Sequence, residues 1–186
     1  MLEHWNDGLW ENGVMAKLSK EELRKRTCNL LSEQATMTIA TSSGPSPWAA
    51  PVYYVNIGYD IYFFSSPTSR HILESQEAKQ AAVAIFAESR KWREIRGVQI
   101  SGTIQPLSPG LEAAKAVAAY EKKFSFIREF FGGRKTLDLK AFSEKFDVSF
   151  YRFTPDKIYY LDNRVDFSFR AEVPIIRSGP QHSPTG

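Results

Sequence analysis

Cysteine occurs once in this 186-residue chain. A single thiol, Cys28, excludes an intrachain disulfide and gives no pointer to an oxidising compartment. It falls on an expected helix, where a small buried side chain is a better reading than a reactive thiol. Histidine is almost as scarce. His4, His71 and His182 are scattered, two of them in terminal arms, which argues against a three-histidine metal site. Charge of one sign is lacking too: 24 Lys and Arg face 21 Asp and Glu, a net charge of +3. The bases are dispersed, so nothing argues for a nucleic-acid partner. The densest basic cluster, Arg90-Lys91-Trp92-Arg93, runs into Glu94 and reads as a solvated turn. No apolar run approaches the length of a membrane span. Met1–Gly8 is acidic, without the apolar stretch of a signal peptide. The cytoplasm is therefore the expected location. There is no internal repeat, Gly-x-Ser-x-Gly elbow, Walker loop or dinucleotide fingerprint. Ser101 and Ser168 have no evident companion base, and Asp162, Asp166 and Glu172 read as surface carboxylates around a turn.

What is present is the composition of a folded domain, 42% hydrophobic and 24% charged. A chain of this length buries about 70% of its unfolded surface in one core. Residues 1–18 carry Trp5, Leu9 and Trp10 without a regular period and read as an arm that docks on the body or on a partner. The domain spans 19–176, and the Ser-, Gly- and Pro-rich stretch 177–186 reads as a disordered tail. Ser19-x-x-Glu22 is a capping box for a first helix that ends near Glu33, with Leu23, Thr27, Leu30 and Leu31 on one face. Strands follow at Thr36–Thr41, Trp48–Val55 and Tyr59–Ser65, the last two joined as a hairpin through Asn56-Ile57-Gly58. A short helix is expected over 68–76, then a buried strand at Ala81–Ala87 and a long one at Arg93–Leu107, bent at Gly97 or Gly102.

The 3.6 period over Leu111–Phe124 predicts a helix with Ala114, Val117, Ala118 and Glu121 on one face. Short helical pieces at Phe126–Phe131 and Leu137–Phe146 flank a Gly132-Gly133 break. Strands at Val148–Thr154 and Ile158–Leu161 come last, with Phe167–Val173 as a further candidate. The expected fold is α+β: a six-stranded antiparallel Greek-key barrel with flanking helices.

The segment Phe63-Phe64-Ser65-Ser66-Pro67-Thr68-Ser69-Arg70-His71 carries the most chemistry. It predicts strand, hydroxyl-rich turn and helix start, with Ser66 as N-cap and Pro67 at the first helical position. Free backbone N–H groups, several hydroxyls and a guanidinium then converge as a phosphate dianion requires. A capped helix with a solvated Arg fits the same residues equally well. On Ile95-Arg96-Gly97-Val98-Gln99-Ile100-Ser101-Gly102-Thr103-Ile104, period two puts Val98, Ile100 and Ile104 on the core side and Gly97, Gln99 and Ser101 on the other. A glycine at 97 weakens a strand unless a ligand or another backbone comes close.

These segments, in this order and with Tyr160-Leu161-Asp162-Asn163 near the end, resemble the pyridoxamine 5′-phosphate oxidase-like FMN-binding split barrels, over residues 30–172. The resemblance implies a homodimer with FMN in a cleft between subunits and a small-molecule substrate. It implies an aromatic–hydroxyl pair at Phe64 and Ser65 beside the flavin, and Arg70 and His71 on the phosphate with Ser66 and Ser69 nearby. Ala50, Pro51, Val52 and Tyr53 would lie along the polar edge of the ring. Gly97 falls where the oxidases place a glutamine, and Gln99, two residues on, offers a replacement amide. Tyr53, Tyr54, Phe63, Phe64 and Trp92 are candidate ring walls, at least half of them expected to be core. The vitamin B6 oxidases carry a Lys where this chain has Val55, and they end in a Trp and a paired-Arg segment where it has Phe167-Ser168-Phe169-Arg170. Oxidation of pyridoxamine phosphate is therefore not expected. Flavin-dependent oxidoreduction is the leading reading. A non-catalytic flavin store or sensor, or a haem or deazaflavin binder on the same fold, are the alternatives.

Overall fold

The computed structural model describes residues 18–126 and 139–176. The Trp-containing arm, most of the piece expected at Phe126–Phe131, the Gly132-Gly133 break and the tail from Arg177 lie outside the described residues. Helix α1 (Lys20–Glu33) begins as its capping residues require: Ser19 Oγ accepts from the Glu22 amide at 3.1 Å. The Glu22 carboxylate does not close the box but accepts from Arg26 Nε at 2.8 Å. Leu23, Thr27, Leu30 and Leu31 are its buried face, as the spacing predicts.

Among the described residues eight strands form rather than six: β1 (Thr36–Thr41), β2 (Trp48–Tyr53), β3 (Val55–Ile57), β4 (Asp60–Ser65), β5 (Ala81–Phe86), β6 (Arg96–Pro106), β7 (Ser149–Asp162) and β8 (Arg170–Glu172). All pairings are antiparallel, in the order β2-β1-β5-β6-β7-β4-β3, with β8 beside β7. The run expected as one strand, Trp48–Val55, is two. Residues 48–53 pair with β1, whereas 55–57 pair with β4 around Gly58, whose φ is +62°. The two ends of the sheet are thus consecutive in the chain, joined by Tyr54 alone. A flat sheet cannot satisfy that connection, so this one curls until β2 approaches β4, giving a half-open barrel. Tyr54 is the corner piece: fully buried, its amide bonds Ala35 O at 3.2 Å and its hydroxyl donates to Leu31 O at 2.7 Å.

The expected break near residue 155 is absent, and β7 runs unbroken for 14 residues. A register shift lies between Ser101 and Gly102 on β6, whose partners jump from Lys157 to Pro155. The bulge absorbs Asp156 and admits a proline inside a central strand. One edge of β7 carries β6 along its whole length, while the other carries β4 on residues 149–153 and β8 on 159–161.

Two cores result. The barrel interior holds Met37, Ile39, Phe63, Val83, Ile100 and Phe153 and is closed by Leu30 and Leu31 of α1 and Ile72 of α2 (Arg70–Ala78). The second core lies outside β3, β4 and β7 beneath α3 (Leu111–Lys123). The α3 face differs from the expected one: Ala113, Ala116, Val117 and Tyr120 are buried, a rotation of about one residue or 100°. Tyr120 decides this, since it is the largest apolar side chain on the helix and its hydroxyl reaches Tyr53 O. Helix α4 (Leu139–Phe146) precedes β7. Among the described residues no helix is long and apolar enough to cross a membrane.

Candidate functional site

β4 delivers Phe64 and Ser65 to opposite faces, as a strand must. Phe64 turns outward under α3, stacked on Phe150 at 4.3 Å and edge-on to Tyr120 at 5.2 Å. Ser65 turns to the end of the barrel. There its Oγ lies 2.8 Å from His71 Nε2 and 3.0 Å from Ser69 Oγ, and Ser69 Oγ lies 3.3 Å from the same ring nitrogen. The helix begins later than expected. Ser66 to Ser69 form a turn closed by the Ser69 amide on Ser66 O at 3.0 Å, with Pro67 at its second position and Ser69 as N-cap. Ser66 Oγ instead meets Thr68 Oγ1 at 3.0 Å. The Ser69 hydroxyl makes no cap bond, being held by Ser65 and His71. The amides of Arg70 and His71 are therefore first-turn donors without an intrahelical acceptor.

His71 is 7% exposed, and burial pushes its imidazole below the ordinary range. The ring is neutral at pH 7, so the corner's standing cation is Arg70. That guanidinium is already positioned: Nε donates to Glu74 Oε1 at 2.6 Å, Nη2 donates to Ser46 O at 2.8 Å, and Cζ sits 4.8 Å over the Trp48 ring. Glu74 is buried and its second oxygen accepts from Thr41 Oγ1 at 2.7 Å. The bonds from Arg70 and Thr41 hold its carboxyl below the usual range. Glu74 and Thr41 escaped the sequence reading. The i, i+4 spacing of Arg70 and Glu74 was a readable signal; Thr41, 33 residues away, left none.

The remaining candidates lie on the sheet. Ala50 and Val52 face the barrel interior from β2, and Pro51 and Tyr53 face outward. Pro51 is accommodated because β2 pairs, among the described residues, with β1 alone. The Tyr53 ring packs against Phe124 and Phe126. Gly97 answers the question its sequence posed in favour of a backbone: a Cβ there would lie 2.9 Å from Ile85 O. Gln99 is exposed, aligned with Ala84 on one side and Tyr159 on the other. It borders a groove of about 370 Å³ floored by Ala40, Ala82, Ala84 and Ser101 and flanked by Thr38, Lys157 and Tyr159. α3 covers the outside of β3, β4 and the start of β7, but among the described residues nothing covers this outer face of β1, β5 and β6, which ends at Phe86, 66% exposed. Ala40, at the groove, neighbours Thr41, which holds Glu74, so groove and hydroxyl corner share the barrel end where β1 finishes. Of the candidate ring walls, Tyr54 and Phe63 are core, Phe64 is packed, and Tyr53 and Trp92 are half exposed.

Asp162 corrects the sequence reading, which put it on a surface turn. It is fully buried, accepting from Tyr160 Oη at 2.7 Å, Arg164 Nε at 2.8 Å, Arg164 Nη2 at 2.6 Å and the Arg164 amide at 3.0 Å. Burial raises its pKa, but these bonds outweigh it and hold the carboxyl below the usual range. Such a group stabilises the fold above the unfolded pKa of about 3.9 and stops doing so as pH falls through its lower folded value. Asp162→Asn is expected to cost about 2 kcal/mol at pH 7, the scale of a charged-group hydrogen bond left unmade. Its stability should also vary less with pH below 4, as thermal melts from pH 3 to 7 would show. Asn163 beside it is structural: Nδ2 donates to Trp92 O at 2.7 Å and Oδ1 accepts from the Ser168 amide at 3.2 Å, pinning the loop before β6. Cys28 is half-buried, with a thiol pKa raised by burial, and is not an activated nucleophile. No cluster of metal-ligating side chains occurs among the described residues.

A family model described as pyridoxamine 5′-phosphate oxidase matches residues 23–162. No curated protein matches the chain by sequence. Among solved structures, a heme-binding protein from Mycobacterium smegmatis is similar at 19% identity and a TM-score of 0.60, covering 84% of this chain and 58% of that one. The chain thus spans little more than half the length of that protein. A conserved hypothetical protein from Mycobacterium tuberculosis is similar at 14% identity and a TM-score of 0.62, covering 94% of this chain and 100% of that one. An FAD-binding protein from Mesorhizobium loti is similar at 14% identity and a TM-score of 0.52, with coverages of 72% and 88%. At these identities the structures share the fold alone. The sequence match is broader evidence, because it runs from the first turns of α1 to the last residue of β7 and takes in both the hydroxyl corner and the bare sheet face. On that match, the chain belongs to the pyridoxamine 5′-phosphate oxidase family.

Proposed function

We propose that this chain binds FMN between two copies of itself and serves as a flavin-dependent oxidoreductase for a small substrate. The observation that carries the reading is the shared barrel end. There the hydroxyls of Ser65 and Ser69 meet, those of Ser66 and Thr68 pair in the same turn, and two first-turn amides and the Arg70 guanidinium follow at the start of α2, while a groove floored by small residues opens on the outer face of the sheet. A phosphate monoester fits the first part and a planar ring fits the second. Arg70 would bind the phosphate, Gln99 and the open backbone edge of β2 would meet polar atoms of the ring, and a second copy laid on the bare face would exclude water. Bound flavin supplies the electron or hydride transfer, and the chain's task is to hold and orient it. Val55 is buried under α3, so nothing at that position serves a ligand as the B6 oxidases' Lys does, and the B6 substrate is not part of the proposal.

Some structural relatives carry the name of heme-binding proteins. Here His71, the histidine within the described residues, is buried with Nε2 held by hydroxyls, a poor start for an axial ligand. Flavin is the better fit.

The full-length protein is expected to purify yellow, or to quench FMN fluorescence on titration. Arg70→Ala should weaken FMN by about 1.5–3 kcal/mol, roughly ten- to a hundredfold, because a charge-assisted bond to a dianion is lost. A loss below a few tenths would mean that Arg70 serves only Glu74 and Ser46. Reduction of bound flavin by NADH or NADPH, followed at the flavin absorbance, separates an oxidoreductase from a flavin store, which would show no turnover.

A further inference from the structure

Once Arg70 is counted against Glu74, the hydroxyl corner is charge-balanced. From α2 the two charged side chains facing the corner are those two, locked at 2.6 Å. β4 contributes Ser65, β1 contributes Thr41 and β2 contributes Trp48, none of them ionised, and β6, which also packs against α2, turns apolar Val98, Ile100 and Ile104 into the barrel. The ring partners of His71 are the hydroxyls of Ser65 and Ser69. A neutral imidazole that accepts at Nε2 draws a hydroxyl hydrogen toward itself, so that hydroxyl presents only lone pairs to a ligand. A protonated ring donates at Nε2 instead. Both hydroxyl hydrogens are then free to turn outward, and a compensating positive charge stands behind them.

Resting on the flavin-phosphate reading above, we infer that His71 is a positioning residue: it takes up a proton as the phosphate binds, and so frees the hydroxyl of Ser65, the nearer of its two partners, to donate to the phosphate alongside that of Ser69. The proton comes from solvent, and His71 need not touch the ligand. Burial, which keeps the empty ring neutral, is what makes the uptake visible near neutral pH. The phosphate itself has a second pKa of about 6 and is already a dianion above pH 7, so uptake there belongs to the protein.

The test is calorimetric titration of the full chain at pH 7.5 with FMN and with riboflavin, each in two buffers of different ionisation enthalpy. FMN should bind with uptake of nearly one proton, and riboflavin with none. FMN affinity should fall about tenfold per pH unit across the range in which the empty ring is neutral and the bound ring protonated, and level off once the bound ring loses its proton. His71→Gln should bind FMN more weakly and with a flat pH profile. His71→Lys, which keeps a permanent cation, should bind FMN with no uptake and serves if the glutamine variant does not fold. FMN binding by the wild type without uptake and with a flat profile would overturn the inference and leave the flavin reading standing. Failure of both FMN and riboflavin to bind at any pH would overturn the two together.

Discussion

Gly102→Ala is expected to destabilise the protein by about 3 kcal/mol, at the upper end for overpacking, and to lower the thermal midpoint by about 6–12 °C. A Cβ at 102 would lie within 2.2 Å of Thr154 O, 2.8 Å of Phe153 Cζ and 3.0 Å of Pro155 Cα. Two of these three are backbone atoms of β7, and they cannot swing aside as a side-chain end does. The position is also the bulge where β6 and β7 change register, so a shift there propagates along the longest pairing of the sheet. Gly44→Ala is the matched control, because nothing lies within 4 Å of the added carbon. Thermal melts followed by circular dichroism give the comparison; a Gly102→Ala midpoint within 1 °C of wild type would mean that the strands part at little cost.

Ala84→Arg carries the second large effect. Ala84 is part of the floor of the bare face, between Thr38 on β1 and Gln99 on β6. In a lone chain the new side chain would stand in water at little cost. Between two copies it would fill the groove and trap a guanidinium without a partner, at about 3 kcal/mol or more. On the proposed dimer, sedimentation should show the mass fall from two chains to one, and FMN affinity should drop at least a hundredfold, with the melt little changed. A dimer that survives the substitution with its flavin intact would move the seat of the cofactor elsewhere.

Local signals explain what the sequence made legible. Ser19 and Glu22 announce α1, and the spacing of Leu23, Thr27, Leu30 and Leu31 gives its buried face. Alternation locates β1 and β5 to within a residue. The misreadings share a cause, which is that distant partners decided them. Nothing in Trp48–Val55 marks a break; Tyr54 turns the chain because the barrel must close. Pro155-Asp156-Lys157 looks like a turn until Gly102 offers the opposite bulge. Ser66 and Ser69 are equally good N-caps, and Pro67 suits a turn's second position as well as a helix's first. The hydroxyls and His71 were legible because they fall within seven consecutive residues, 65–71. Of the partners that orient Arg70, Glu74 stands at a readable i, i+4 spacing, but Ser46 and Trp48, and Thr41 behind Glu74, lie on segments that no spacing rule links to it.

The one-residue joint at Tyr54 also bears on how the molecule breathes. β2 and β3 are covalent neighbours at opposite ends of one ladder, so widening the slit beside β2 pulls on the β3–β4 ribbon and on the helix packed over it. Amide exchange along these segments should therefore show one shared opening event, with common protection, in place of independent fraying at two separate rims.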